Sequence, residues 1–190
     1  MKRKPSKRET SERSMAYIWG STSSERKMSF PCDRHMSNSD ETYFRAIDVK
    51  APASVLFRWL CQLKVAPYSY DWLDNFGRQS PRQLIAGAED LAAGQRVMTI
   101  FKLVEFEQEQ HLTVVLDFEP AISIFGHIAL SYVVLPTTES SCRLVAKMHL
   151  RYPTTPIWGA WMRSSLPWGD WFMMRKQFLT LKNLAEKEVS

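Results

Sequence analysis

Two groups of residues in this chain have the types and spacing to do chemistry. Asp71 and Asp74, in YDWLDN, form the acidic pair that is flanked by aromatics. Such carboxyls can polarise a ligand hydroxyl or serve as a base with a raised pKa; equally, they can cap turns or pair with Arg78, Arg82 or Arg175. Arg175 itself lies in PWGDWFMMRKQFLTLKNLAEKE, residues 167–188. At 100° per residue, Trp168, Trp171, Phe172, Met174, Phe178, Leu179, Leu181 and Ala185 share one arc of a helix, and Arg175 and Lys182 fall inside it. A guanidinium facing an apolar space must be paired or hydrated. Three roles follow for Arg175: bidentate capture of a ligand carboxylate or phosphate, an internal pair with Asp71 or Asp74, or escape to solvent along its aliphatic stem if the helix phase differs by a residue. Lys182, nearer the helix end, suits the last of these.

The other reactive side chains offer less. His111, His127 and His149 fall in the solvent phase of their predicted strands, and His35 sits near Cys32 and Asp33 without a second base. A catalytic triad would need a convergence that these phases forbid. Among sequence motifs, a GxSxG elbow, a glycine-rich phosphate loop and HExxH are all missing. Cys32, Cys61 and Cys142 are far apart and odd in number, which indicates free thiols in a reducing compartment; no metal and no cofactor are expected. A set of aromatics, Tyr70, Trp72, Phe101, Phe118, Tyr132, Trp161, Trp171 and Phe172, has the phases to line a pocket.

The elements that must position these groups follow from periodicity. Thr42 to Lys50 reads as a strand with Ile47 and Val49 at period two. Pro52 suits the first turn of a helix carrying Val55, Leu56, Trp59, Leu60 and Leu63. Residues 67–81 and 82–94 read as mostly irregular. Arg96–Phe106, Gln110–Phe118, His127–Leu135 and Cys142–Tyr152 read as strands joined by short connections, hence an antiparallel meander with one wet face. Pro167 is expected to open the final helix, the element long enough to cover the apolar face of such a sheet.

Composition bounds the partners. The 190 residues carry a formal charge of +5, but residues 1–14 hold six basic and two acidic residues, 6 − 2 = +4, so the remainder is near neutral. That excludes charge-driven nucleic-acid binding by the body of the chain and marks 1–14 as a basic, disordered tail. Residues 15–41, with Tyr17, Ile18, Trp19, Phe30 and Pro31 among polar residues, read as an extension lying on the domain of residues 42–188. The apolar run after the basic start is too short for a signal peptide, and none is long enough to span a membrane. A cytoplasmic protein without integral membrane association is expected.

The opening YFRAIDVKAPASVLFRWL at 43–60, the segment PYSYDWLDNFGRQSP at 67–81 and the closing GDWFMMRKQFLTLKNLAE at 169–186 resemble the SRPBCC or START-like superfamily, which includes polyketide cyclase-like proteins. The resemblance spans about residues 42–188, and FPCD at 30–33 resembles a subgroup segment. It implies an α+β helix-grip fold, a curved antiparallel sheet wrapped around a long C-terminal helix with an internal apolar cavity. It further implies binding, and by extension transport, of a small hydrophobic or lipid-like ligand. Tyr70, Trp72, Phe101, Phe118, Tyr132, Trp171, Phe172 and Arg175 are the candidate ligand-binding residues, and Asp71 and Asp74 the candidate polar or acid–base pair. The alternative activity is a polyketide cyclase/dehydratase on an apolar substrate; no position matches that subgroup's catalytic residues. A third reading has the basic tail docking an acidic partner. The sequence names no ligand and sets no oligomeric state.

Overall fold

The computed structural model describes residues 15–70, 72 and 77–189; Asp71 and Asp74, and the tail 1–14, lie outside the described residues. Strand β1 (Glu41–Val49) leads into helix α1 (Ala53–Cys61). The meander follows: β2 (Arg96–Val97), β3 (Phe101–Glu107) and β4 (His111–Leu116), helix α2 (Glu119–Phe125), β5 (His127–Thr138) and β6 (Ser141–Arg151). Helix α3 (Pro156–Glu188) ends the fold. The six strands form one antiparallel sheet ordered β1-β6-β5-β4-β3-β2, so the first strand closes against the last. The sheet curves, with register breaks at Leu103/Glu105 and Pro136/Thr138 that bend their strands.

The alternation expected of the strands is the alternation observed. Leu112, Val114 and Leu116, then Ile128, Leu130, Tyr132 and Val134, then Leu144, Ala146, Met148 and Leu150 all face one core with α1 and α3. Three features depart from the sequence reading. The run Arg96–Phe106 is broken between β2 and β3, where Met98 (φ 48°) and Thr99 (φ 66°) take left-handed backbone conformations. Helix α3 begins eleven residues before Pro167, at Pro156 in its first turn; Pro167 lies inside it. Proline there removes one intrahelical donor, and the neighbouring Ser165 hydroxyl donates back to the Trp161 carbonyl (3.0 Å).

The third departure is the outer face, which is covered rather than wet. Residues 15–40 cross it, and Phe30 and Cys32 pack on Phe44, Ala46, Ala129 and Val145 to make a second apolar cluster. Arg143 of β6 pins this layer by pairing with Glu25 and, at 2.8 Å, Asp48. The Cys32 amide donates to Ser131 Oγ (2.8 Å), itself bonded to Thr113 Oγ1 (2.8 Å). His149, predicted to face solvent, is therefore buried. Its Nε2 lies 2.7 Å from Asp33, and its Nδ1 is 3.0 Å from both Thr42 and Ser39. The free edge of β1 is also protected: the Ala46 amide donates to the Trp19 carbonyl (3.0 Å). Gly20 (φ +72°) permits that approach, since a Cβ there would sit 2.0 Å from the Ala46 carbonyl oxygen.

Candidate functional site

The buried arc of the second half of α3 comprises Met174, Gln177, Phe178, Thr180, Leu181, Leu184 and Ala185. It is rotated from the arc read off the sequence, because Gln177 and Thr180 take inward positions while Trp168, Phe172 and Arg175 turn out. Gln177 is 3% exposed, so its amide must find partners inside. Its Oε1 accepts from the Tyr132 hydroxyl of β5 (2.7 Å), and its Nε2 donates to the Pro67 carbonyl (2.7 Å) and toward Met98 Sδ (3.3 Å). Met174 Sδ is 3.7 Å and Met98 Sδ 3.9 Å from the same hydroxyl. Tyr132 and Gln177 thus make one polar centre, walled by thioethers and by Phe178, whose ring centroid lies 6.2 Å from that of Tyr132. Burial pushes the Tyr132 phenol far up, with the Asp170 charge adding to it, so the hydroxyl stays neutral and acts as a donor.

The backbone around this centre is strained. Tyr68 (φ 56°), Met98 and Thr99 are all non-glycine residues at positive φ, and a β-branched residue such as Thr99 is a clear outlier there. Each such residue costs about 1 kcal/mol or more. Met98 is half-buried, and its thioether lies 3.9 Å from the Tyr132 hydroxyl.

Beside it lies a buried ion pair. Arg45 of β1, 2% exposed, donates to Asp170 Oδ2 of α3 (2.5 Å) and to the carbonyls of Ala16 (2.7 Å) and Phe44 (2.9 Å). Desolvation pushes the Asp170 carboxyl up and Arg45 pulls it down. At the sheet end, the Tyr43 and Tyr152 hydroxyls lie 2.6 Å apart, and Tyr152 donates to Glu41 Oε2 (2.6 Å). Burial raises both phenols beyond any general-base range.

The sequence-predicted site residues are scattered by comparison. Tyr132 is at the centre. Tyr70 stacks on Phe172, centroids 4.4 Å apart and 4° from coplanar, at the outer side of α3. Trp72 is 72% exposed, Phe118 caps α2 at the surface, and Phe101 packs half-buried on the core. Trp171 is half-buried, and its Nε1 has no hydrogen-bond partner among the described residues. Arg175 is exposed and lies over the rings of Trp171 (5.9 Å) and Trp19 (6.0 Å). It does not enter the core, which corrects the arc drawn from the sequence, because the helix turns its Gln177 side inward. Lys182 reaches out to the Asp48 carbonyl (2.7 Å). Gln177 and Met98 were not singled out from the sequence; a glutamine three residues after Met174 and four before Leu181 was the available signal.

Cys32 Sγ, Asp33 and His149 lie within 4.8 Å of one another, a spacing that suits a metal. Here the Lys147 ammonium sits 2.6 Å from the same Asp33 oxygen that His149 contacts, so the carboxylate already has its cation. The open volume near the surface, about 560 Å³, is an apolar groove between α2 and the first turns of α3, lined by Ser123, Ile124, Thr155, Pro156, Ile157 and Trp158. Among the described residues, no helix is long and apolar enough to cross a membrane.

No family model matches the chain, and no curated protein matches it. Solved structures share its fold. A protein from Mesorhizobium loti superposes with a TM-score of 0.52 at 15% identity, over 77% of this chain and 98% of that one. Norcoclaurine synthase from Thalictrum flavum, in complex with dopamine and hydroxybenzaldehyde, gives 0.49 at 13% identity, over 79% and 88%. The di-domain ARO/CYC BexL of the BE-7585A biosynthetic pathway gives 0.48 at 13%, over 77% of this chain and 46% of that one. At these identities the likeness concerns fold alone. The chain has the helix-grip fold.

Proposed function

We propose that the protein binds a small hydrophobic or lipid-like ligand between the concave face of the sheet and α3, with Tyr132 and Gln177 recognising its polar group. The observation that supports this reading is the Tyr132–Gln177 pair, a satisfied buried polar centre bounded by two methionines and Phe178. Thioether side chains repack at low cost, and Met98 is the half-buried one. Displacing Met98 and Met174 from the Tyr132 hydroxyl would open a chamber whose walls are apolar and whose single hydrogen-bonding edge fixes orientation. A shift of the Met98–Thr99 segment on binding would relieve the backbone strain stored there.

Binding is favoured over cyclase or dehydratase turnover by the chemistry of that centre. A neutral phenol and an amide can orient a carbonyl or hydroxyl, but neither takes a proton near neutral pH. Titrating the protein with a fatty acid, a sterol and an aromatic polyketide, each read by quenching of intrinsic fluorescence, tests the proposal. Saturable binding of at least one class, weakened about tenfold or more in Gln177→Leu, is expected from loss of a buried hydrogen bond to the ligand. Binding of none of the three, or binding indifferent to Gln177→Leu and Tyr132→Phe, would overturn it.

A further inference from the structure

The first half of α3 carries an apolar face that is largely exposed among the described residues, with Tyr70 stacked on Phe172 at its far end. Ile157, Trp161, Trp168 and Phe172 recur at spacings of four, seven and four residues, which places them on one side of the helix. They are 89%, 55%, 43% and 48% exposed, and Trp158 stacks on Trp161 with centroids 5.0 Å apart. Four large side chains in one exposed row exceed the scatter of single apolar residues normal for a surface. The row continues the apolar groove formed with Ile124 of α2.

Along α3 itself the charges are mostly basic, and of its cations in this stretch Arg163 pairs with Asp40 at 3.3 Å. From Pro156 to Lys182 the sole acidic residue is Asp170, and it is held inward by Arg45. Arg175 and Lys176, both exposed, continue the helix beyond Phe172. Tryptophan and phenylalanine next to lysine and arginine is the composition of a helix lying in a membrane–water interface. A second copy of the chain would set the same cations against themselves, whereas an anionic bilayer accepts both the apolar row and the charge.

From these observations we propose that the outer face of α3 docks on an anionic lipid bilayer as a peripheral contact. The inference does not depend on what the core binds. Its test is co-sedimentation of the full chain with vesicles of phosphatidylcholine alone and of phosphatidylcholine with phosphatidylserine. Binding to the second and not the first is expected, falling steeply as salt is raised. Trp161→Ser with Trp168→Ser should lower the partition coefficient about tenfold or more, with the melting temperature held near that of the native chain, since both indoles are exposed. No binding to anionic vesicles, or binding that survives the double substitution, overturns the proposal. So does a dimer in sedimentation velocity that the double substitution dissociates, which would give the face to a second copy.

Discussion

Replacing Asp170 by Asn should destabilise the protein more than most single changes. Arg45 is 2% exposed and the Asp170 side chain 11% exposed, so the pair exchanges little charge density with solvent. Arg45 retains the Ala16 and Phe44 carbonyls as acceptors after the change, but both are neutral and leave its full charge uncompensated. Removing one partner of such a pair costs about 3–5 kcal/mol. For a chain of this length that is a drop in melting temperature of about 6–20 °C. Urea unfolding followed by tryptophan fluorescence measures it, with an unchanged slope confirming that the unfolded state is the same. Arg45→Met combined with Asp170→Leu removes both charges and should recover most of the loss, to within about 2 kcal/mol of the native chain. The reasoning is refuted if Asp170→Asn costs less than about 1 kcal/mol, or if the double variant is no better than the single one.

Further outcomes follow from the same contacts. Tyr132→Phe leaves Gln177 Oε1 buried without its donor and should cost about 1–3 kcal/mol in urea unfolding. Gly20→Ala forces a Cβ to within 2.0 Å of the Ala46 carbonyl oxygen at φ +72°, so it should cost about 2 kcal/mol or more, again by denaturant titration. Acid should unmask the layer over the outer face. Burial raises the Glu25 and Asp33 carboxyls, but Arg143 with Thr22, and Lys147 with Phe30 and His149, hold them below their ordinary 4.5 and 3.8. The unfolded chain therefore binds more protons in this window, and stability present above pH 4.5 falls as pH drops through the lowered values. Arg143→Met should flatten that acid limb in melts taken from pH 6 to pH 3. Burial pushes the Cys32 and Cys142 thiols up to about 11 and Cys61 up to about 12; all three should resist Ellman's reagent until the chain is unfolded.

Most of the sheet could be read from the sequence because its strands alternate strictly and its connections are short. Leu112, Val114 and Leu116, or Leu144, Ala146, Met148 and Leu150, fix their own inward phase. The outer face was misread for a physical reason: Arg143, Lys147 and His149 are the residues expected against water, yet each meets an acidic partner from residues 15–40. Polar residues that face a carboxylate and those that face solvent look alike in one sequence. The helix phase was legible only in part. Met174, Phe178, Leu181 and Ala185 of the expected arc are buried, but aromatic residues drew that arc toward Trp168 and Phe172, while the core takes Gln177, Thr180 and Leu184 instead. Hydrophobicity alone would not choose a glutamine over a tryptophan for burial; the Tyr132 hydroxyl and the Pro67 carbonyl, which meet both ends of its amide, make that choice favourable.

Native mass spectrometry of the freshly purified chain tests the central claim most directly, set beside the same measurement on Met98→Trp, which fills the space next to the Tyr132 hydroxyl. The account predicts a native chain carrying a small apolar molecule, or taking one up from a mixture of fatty acids, sterols and aromatic polyketides, and a folded Met98→Trp variant that does neither. A chain that stays at its bare mass through every addition, or a variant that binds as well as the native protein, would contradict it.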